Sequence, residues 1–195
     1  MSDLYIDTKE LKQITIELNK LPKQIPQATA AALNRTLDFT ATRIKKEVTA
    51  EYSVKSSDVS KTLKKKRASR SNLYAYIESK GHTLSLARFP HSPRKYSKRA
   101  KAVKVKVKKS GGYKTVNTQP KAFVQTMNNA TNIWKREGPG RHPVTMLRTL
   151  SIPQMISNEG TMKKIQDAAA KKLQERVNHE IKWRLDKAAS KKGGG

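Results

Sequence analysis

The strongest periodic pattern in this chain of 195 residues lies near its C-terminus and dictates a long helix there. Seven apolar residues recur at spacings of three and four: Met162, Ile165, Ala169, Leu173, Val177, Ile181 and Leu185. Residues at these spacings lie on one side of an α-helix, and Lys, Arg, Gln and Glu occupy the other sides. The pattern predicts a helix of roughly six turns. We expect its apolar stripe to close the core of the domain rather than to form a subunit interface.

Shorter helical patterns open the chain. Asp7 and Thr8 are candidate N-caps for a first helix, whose apolar stripe is Leu11, Ile14, Leu18 and Leu21. Pro26 suits the first turn of a second, longer helix that runs to about Tyr52. A short third helix is predicted from about residue 57.

The apolar period changes from helical to alternating in the middle of the chain. Leu73, Ala75 and Ile77 alternate with Tyr74, Tyr76 and Glu78, which indicates a half-buried strand. The two tyrosines are interpreted as strand packing rather than as a surface for base stacking. Further short strands are predicted at residues 84–86, 122–127 and 133–136, and a loop at residues 87–101.

A β-hairpin is predicted from a second alternating run. Val103, Val105 and Val107 alternate with Lys104, Lys106 and Lys108, so one face of the strand is apolar and the other cationic. The run Lys109-Ser110-Gly111-Gly112 is typical of a hairpin turn, after which residues 113–116 pair back. The expected fold class is therefore α+β: N-terminal helices, a small antiparallel sheet with a hairpin in the middle, and a long C-terminal helix.

Length and composition favour a single domain. We expect it to span residues 1–190, with N-terminal helices over 1–57, a basic β-region over 58–145 and a helical segment over 146–190; residues 191–195 are expected to be a disordered tail. Apolar residues make up only 35% of the chain and aromatic residues 6%, so partner subunits are expected to supply burial that one copy lacks.

Several classes of protein are excluded by what the sequence lacks. The chain has no cysteine, which excludes disulfides, thiolate zinc sites and cysteine nucleophiles. Its apolar runs are shorter than the roughly 18 residues that predict a membrane span. The N-terminus lacks the basic and apolar regions of a signal peptide. We therefore expect a soluble protein that is made in the cytoplasm and has no membrane partner.

Positive charge is concentrated in the central third of the chain. Residues 61–109 contain 17 Lys or Arg residues against one acid, Glu78, a net charge of +16 within a whole-chain charge of +27. Such an excess repels itself and attracts phosphate, so it indicates a polyanionic partner. The candidate DNA contacts are Lys64, Lys65, Lys66, Arg67, Arg94, Lys95, Arg99, Lys101, Lys104, Lys106 and Lys108. For Lys104, Lys106 and Lys108 alone, lysines that protect an edge strand from aggregation are an open alternative.

Catalysis is not expected, and neither is a cofactor or a metal. His179-Glu180 begins like a zinc-protease motif, but Trp183 stands where that motif requires a second histidine. Glu78 and Glu137 are the only acids between Val59 and Ser157, and nothing in their spacing indicates that they meet. A basic nuclease is the enzyme class considered, and its metal-dependent catalysis would require these two acids to lie close together.

An ordered series of segments resembles a known family. The segments are Ala31-Ala32-Leu33-Asn34-Arg35-Thr36, Leu73-Tyr74-Ala75-Tyr76-Ile77, the Val-Lys-Val-Lys-Val run at 103–107, Ala122-Phe123-Val124, Trp134-Lys135-Arg136-Glu137-Gly138-Pro139-Gly140-Arg141 and Leu150-Ser151-Ile152-Pro153-Gln154-Met155. With the long final helix, their order and spacing resemble the minor tail protein Z family of long-tailed bacteriophages, also called tail-completion proteins.

The resemblance implies a structural role in the virion and no catalytic residues. Such a protein is expected to form a ring, with six copies favoured, at the head-proximal neck of the tail. There it would contact tail-terminator, tail-tube or connector proteins and help the tail to join the filled head. In such a ring, residues 61–109 would hold the double-stranded end of the genome. A sequence-independent nucleic-acid-binding protein of the cell is the alternative.

Candidate contacts to neighbouring subunits or partners are Trp134, Arg136 and Arg141. Arg136 and Arg141 flank a turn of composition Glu-Gly-Pro-Gly. For Trp134, as for Trp183, a buried anchor is the more common role of a tryptophan.

Overall fold

The computed structural model describes residues 2–5, 11–127 and 129–192. Five α-helices lie within these residues, towards the two ends of the chain: α1 Leu11–Glu17, α2 Ile25–Glu51, α3 Ser56–Thr62, α4 Ile152–Ile156 and α5 Glu159–Lys192. The predicted N-terminal helices and the long final helix are confirmed. The candidate caps Asp7 and Thr8 lie outside the described residues, as does 193–195 of the expected tail, whereas Lys191 and Lys192 continue α5.

The described strands fill the middle of the chain, apart from one at the N-terminus. They are β1 Ser2–Tyr5, β2 Leu63–Lys66, β3 Tyr76–Ser79, β4 Thr83–Ser85, β5 His91–Ser92, β6 Lys104–Val105, β7 Lys114–Thr115, β8 Phe123–Met127, β9 Ala130–Arg136, β10 Val144–Met146 and β11 Arg148–Ser151. They divide into small antiparallel sheets with the orders β1-β3-β2, β10-β9-β8, β11-β4 and β5-β6-β7. The α+β class is confirmed, with the β-region split into several sheets.

The core forms where α2 packs against α5. The two helices are antiparallel, because Glu51 at the end of α2 contacts Thr161 near the start of α5, whereas Arg35 lies near Glu180. Residues at helical spacing on both helices are fully buried at this contact, namely Leu33, Leu37, Ile44, Val48, Ile165, Leu173 and Val177. The C-terminal stripe therefore closes the core, as expected. The burial ends at Ile181, since Leu185 is 41% exposed.

A buried ion pair continues the α2–α5 contact beyond the apolar stripe. Glu180 and Arg184, one turn apart on α5, pair with each other, and their side chains are 5% and 6% exposed. Arg35 Nε of α2 lies 3.6 Å from Glu180 Oε1. Nearby Trp183 is 49% exposed, so the expectation that it is a buried anchor is wrong. The residue lies one position away from the buried pair, on the solvent side of α5.

The predicted hairpin is present but its ladder is short. Lys104 pairs with Thr115 and Val105 with Lys114, and Gly112 has a φ of 60°, which suits a glycine in a tight turn. The strand does not continue to residue 107 as predicted, because its next backbone groups bond elsewhere. The amide of Lys106 donates to the carbonyl of Pro90, and the carbonyl of Val107 accepts from Ser53 after α2.

Two sequence patterns gave no strand prediction where the structure has strands. The basic run Lys64-Lys65-Lys66 forms β2, and β11 lies at the start of the segment 146–190 that was expected to be helical. The loop predicted for residues 87–101 contains the two-residue strand β5. None of the described helices has the length and apolar character needed to cross a membrane.

Candidate nucleic-acid interface

The cations of strand β2 alternate between its two faces. In a strand, successive side chains point to opposite faces, so Lys64 and Lys66 lie on one face and Lys65 lies on the other with Arg67, which follows the strand. Lys65 is the register partner of the buried Ile77 on β3, and that face is turned towards α2. Lys64 and Lys66 pair in register with Glu78 and Tyr76 on the outer face. The sheet therefore presents only half of this basic run outwards.

Asp38 on α2 binds the inward pair of cations. Lys65 Nζ donates to Asp38 Oδ1 at 2.7 Å, and Arg67 Nη2 donates to both carboxylate oxygens at 2.8 and 2.9 Å. The hydrogen bond from Lys65, with that from Arg67, holds the pKa of Asp38 below its ordinary value against the opposing effect of burial. Two of the eleven candidate DNA contacts thus have an intramolecular carboxylate partner here.

A second acid, Glu51 at the end of α2, binds Lys108 in the same manner. Lys108 Nζ lies 3.0 Å from Glu51 Oε1 and 5.5 Å from the centre of the Tyr52 ring. Thr161 Oγ1 of α5 donates to the other carboxylate oxygen at 2.8 Å. The hydrogen bonds from Lys108 and then Thr161 lower the pKa of Glu51, and the bond to Glu51 raises that of Lys108. Burial raises the pKa of the Tyr52 hydroxyl.

The remaining candidate DNA contacts have no carboxylate partner among the described residues. They are Lys64, Lys66, Arg94, Lys95, Arg99, Lys101, Lys104 and Lys106. All are exposed except Lys106, which is half-buried. Arg94, Lys95, Arg99 and Lys101 lie in the exposed loop between β5 and β6. Unpaired, solvated cations of this kind can contact phosphates without any loss of internal ion pairs.

The candidate DNA contacts do not form one compact patch. They belong to two different sheets, since β2 is in the β1-β3-β2 sheet and β6 in the β5-β6-β7 sheet. Asp38 and Glu51, which bind the two groups to α2, are separated by 13 residues, about 20 Å along the helix. The structure therefore binds two separate groups of cations to two positions of α2.

The three candidate partner contacts lie together on the β8–β9–β10 sheet and the turn after β9. Trp134 is half-buried, and its indole N–H donates to the carbonyl of Gln125 at 3.0 Å, which is the behaviour of a packed anchor. Arg136 donates to the carbonyls of Gly140 and Arg141, at 3.3 and 2.7 Å, and its guanidinium lies 5.2 Å from the centre of the Phe123 ring. One nitrogen of the guanidinium, Nη1, therefore holds the turn.

An open cleft of about 590 Å³ adjoins this turn. Its lining includes Tyr96 from the basic loop, Phe123 and Met127 from β8, and Arg136 and Arg141. Arg141 is exposed. The two arginines are thus brought together at one cleft, whereas Trp134 does not line it.

The two acids of the middle region lie in different sheets. Glu78 on β3 is bound by Lys80, 2.5 Å away, and Glu137 after β9 lies 3.8 Å from Lys135. Within the described residues, no group of three or more His, Cys, Asp or Glu side chains could hold a metal ion. Each of the two acids therefore has a lysine for its neighbour.

Sequence reasoning missed the residues that arrange the interface. Asp38, Glu51 and Asn34 are ordinary polar positions on a helix, and their partners lie 27 or more residues away in the chain. The only signal was the scarcity of acids in so basic a chain. Tyr74 and Tyr76 were interpreted as strand packing; their ring centroids lie 5.4 Å apart, and Tyr74 is 47% exposed.

Comparison with known protein families gives a match over almost the whole chain. A family model described as prophage minor tail protein Z matches residues 8–191. No curated protein and no solved structure matches the chain.

Proposed function

The chain belongs to the prophage minor tail protein Z family, and we propose that it is a tail-completion subunit at the head-proximal end of a phage tail. The family match makes it a minor tail protein with a structural role. The proposal adds three features: a ring of copies, with six favoured, a position at the neck, and contact with the double-stranded end of the genome. Its neighbours would be tail-terminator, tail-tube or connector proteins.

The unpaired cations carry the proposal. Eight of the candidate DNA contacts have no carboxylate partner among the described residues, and seven of these are exposed. A closed ring would bring the cations of every copy around one axis, where they would raise the local potential and attract a polyanion. Their distribution over β2, the loop between β5 and β6, and the segment from β6 onwards suits an extended partner better than a small anion.

Exposed apolar side chains support assembly with further copies. Ile16 on α1 is 70% exposed, and Trp183 and Leu185 on α5 are 49% and 41% exposed. The two helices lie side by side, since Gln174 Nε2 of α5 donates to Gln13 Oε1 of α1 at 2.9 Å. Burial of such side chains between subunits would supply stability that the modest core of one copy lacks.

Imaging of intact particles tests the position and the ring. We expect averaged density for a closed ring at the junction of head and tail, into which this fold fits with α2 alongside the axial channel. A protein found at the distal tip of the tail, or as single copies around the tube, would contradict the proposal.

Charge reversal tests the genome contact separately. Lys101→Glu with Lys104→Glu changes two exposed cations that have no carboxylate partner in the described part of the chain. Lys108 is left unchanged because Glu51 binds it, and its reversal would disturb the fold. We expect particles that still join head to tail but retain or eject their DNA abnormally. The matched control is Lys171→Glu with Lys182→Glu, two exposed lysines of α5. Full infectivity of the Lys101→Glu, Lys104→Glu variant would exclude a genome contact through these two lysines.

The alternative of a cellular nucleic-acid-binding protein depends on the same charge. The family match does not favour it. A protein that coats duplex DNA without closing into rings, and that is missing from purified particles, would restore this alternative.

A further inference from the structure

The cleft beside the turn between β9 and β10 lies on the outer face of the β10-β9-β8 sheet. Successive side chains of a strand point to opposite faces. Val124 of β8 and its register partner Ile133 are buried on the inner face, whereas Phe123 and Gln125 of β8 line the cleft. The volume of about 590 Å³ is within the range of ligand-binding pockets, roughly 300–1,000 Å³. The sheet therefore forms one wall of a cleft that is large enough for several side chains of a partner.

The lining of the cleft combines apolar and positively charged groups. Its apolar and aromatic side chains are those of Tyr96, Phe123, Met127 and Val144. Arg136 and Arg141 supply positive charge, and the described lining contains no Asp or Glu. Glu137, which follows Arg136 in the chain, does not line the cleft and lies 3.8 Å from Lys135 Nζ. The cleft is therefore suited to a ligand that is both anionic and partly apolar.

Arg136 is held in a fixed position at the cleft. Its Nη1 donates to the carbonyls of Gly140 and Arg141, at 3.3 and 2.7 Å, and its guanidinium lies 5.2 Å from the centre of the Phe123 ring. Its register partner across the sheet is Val144, which lines the same cleft. Arg136 Nη2 and Nε make no hydrogen bond or ion pair with any described residue. Because the guanidinium is positioned before a ligand arrives, binding through these nitrogens would require little further ordering.

Arg141 adds a second guanidinium at the same cleft. Its backbone carbonyl accepts the shorter of the two hydrogen bonds from Arg136. The turn is also closed by the amide of Glu137, which donates to the carbonyl of Pro143 at 3.1 Å. Arg141 is exposed and has no carboxylate partner in the described part of the chain. Two guanidinium groups without a carboxylate between them repel each other, and a bound carboxylate would offset this repulsion.

The charge of the chain argues against a second copy as the occupant of the cleft. The chain has 42 Lys or Arg residues against 15 Asp or Glu residues, a net charge of +27. Of these acids, Asp38, Glu51 and Glu180 already bind cations of the same chain. A second copy therefore has few carboxylates to offer, whereas an acidic segment of a different protein has the charge that the cleft lacks.

We propose that this cleft binds an acidic segment of a partner protein, with a carboxylate held by Arg136 and Arg141. A neighbouring apolar side chain of that segment packs against Tyr96 and Val144. The planar fork of arginine matches a carboxylate, and burial of the apolar side chain adds affinity. Nucleic acid fits less well, because a phosphate backbone leaves the apolar lining uncovered and the Arg136 guanidinium already lies over the Phe123 ring. The proposal names the chemistry of one partner contact, and it rests on the proposed function only in expecting a protein partner.

Peptide binding to the full-length protein tests the contact with the arginines. The probe is a short fluorescein-labelled peptide of alternating Asp and Leu residues, and binding is followed by anisotropy. Arg141→Ala should weaken binding by about 10- to 150-fold, the effect of losing hydrogen bonds between charged groups. Arg141→Lys should recover only part of this loss, because an ammonium does not make the two parallel hydrogen bonds of a guanidinium.

A second peptide tests the apolar part of the cleft. A peptide of alternating Asp and Ser residues has the same length and charge but no apolar side chain, so the parent protein should bind it more weakly. Tyr96→Ala should weaken binding of the Asp–Leu peptide and leave that of the Asp–Ser peptide unchanged. Equal affinity of the parent protein for the two peptides would overturn the proposal.

Arg70→Ala is the matched control for Arg141→Ala. Arg70 is an exposed arginine between β2 and β3, and its replacement changes the net charge by the same amount. An equal loss of Asp–Leu binding in the two variants would overturn the proposal, because only the overall charge would then matter. Loss of duplex DNA binding in Arg141→Ala with unchanged peptide binding would also overturn it and identify a nucleic-acid contact instead. None of these results depends on the position of the protein in the particle, which imaging decides.

Discussion

Asn34 on α2 holds Ala68 by both of its backbone polar groups. Asn34 Nδ2 donates to the carbonyl of Ala68, and the amide of Ala68 donates to Asn34 Oδ1, each at 2.9 Å. Ala68 is buried and directly follows the basic run of β2. The Asn34 side chain thus makes the two hydrogen bonds that a neighbouring strand would make with Ala68. These bonds fix the path of the chain between β2 and β3.

Removal of this amide should destabilise the fold measurably. Asn34→Ala leaves the buried amide and carbonyl of Ala68 without partners, and we expect the free energy of unfolding to fall by about 1–3 kcal/mol. Urea denaturation gives the change, and hydrogen exchange should show faster exchange of the Ala68 amide. Asn34→Asp keeps the acceptor but not the donor, so its loss should be smaller. Equal exchange in the parent and Asn34→Ala would contradict this role.

The core contact of α5 should depend on position along its stripe. Leu173 is fully buried, and Leu173→Ala should lower the free energy of unfolding by about 2–5 kcal/mol through lost burial and a cavity. Leu185→Ala is the same substitution on the same helix, but Leu185 is 41% exposed, so a change within about 0.5 kcal/mol is expected. Denaturation curves of both variants check this, and similar losses in the two would be inconsistent with the observed end of the buried stripe.

The buried pair Glu180–Arg184 should be sensitive to the loss of one partner alone. Glu180→Ala leaves the buried Arg184 guanidinium without its carboxylate, and we expect a loss of about 3–5 kcal/mol. Removal of both charges in Glu180→Leu with Arg184→Met should cost clearly less, because no uncompensated charge then stays buried. Thermal unfolding of the two variants decides between these outcomes. A double variant less stable than Glu180→Ala would count against the pair being desolvated.

Stability should decline in acid through the carboxylates of α2. The pKa of Asp38 and that of Glu51 are lowered in the folded protein, so each contributes stability that is present above its unfolded pKa of about 4 and is lost as the pH falls through the lower folded value. The free energy of unfolding should therefore fall below about pH 4.5, and Asp38→Asn with Glu51→Gln should flatten that decline. Asp167→Asn, on the exposed side of α5, is the control for charge alone. If the free energy of unfolding falls equally in acid for the double variant and the parent, other groups cause the decline.

The salt dependence of duplex binding should report which cations meet phosphate. Arg94→Ala, Lys95→Ala and Arg99→Ala together remove three exposed cations of the loop between β5 and β6. If all three contact phosphates, the log–log slope of the binding constant against salt should decrease in magnitude by about 2.7, or roughly 0.9 for each. Lys163→Ala, Lys171→Ala and Lys182→Ala remove three exposed lysines of α5 as the control. Equal slopes for the two triple variants would mean that the loop has no special role.

Helical periodicity predicted the ends of the chain well because burial follows it directly. Ile14, Leu18 and Leu173 are buried where their spacing placed them. The final helix was predicted with the same reliability, apart from the exposure of Leu185. Such stripes arise from contacts within one or two turns and need no knowledge of partners far along the chain.

The arrangement of the basic region was not predictable in the same way. The run Lys64-Lys65-Lys66 has neither apolar alternation nor β-branched residues, and it becomes a strand because β3 pairs with it and Asp38 binds its inner side. The split of the strands into separate sheets depends on long-range hydrogen bonds, such as that from Ser53 to Val107. The composition shows how many positive charges this region carries, but not on which faces of the strands their side chains lie.

The parity of β2 has a consequence for changes in chain length. Deletion of a single residue between Thr62 and Lys66 would shift the strand by one position, turning Lys65 and Arg67 towards solvent and the other two lysines against α2. Asp38 would lose its present hydrogen bonds from Lys65 and Arg67, and Tyr76 would face a different cation, with net charge altered by at most one. Evolution of this surface should therefore tolerate exchange of one basic residue for another far more readily than an insertion or deletion in this short strand.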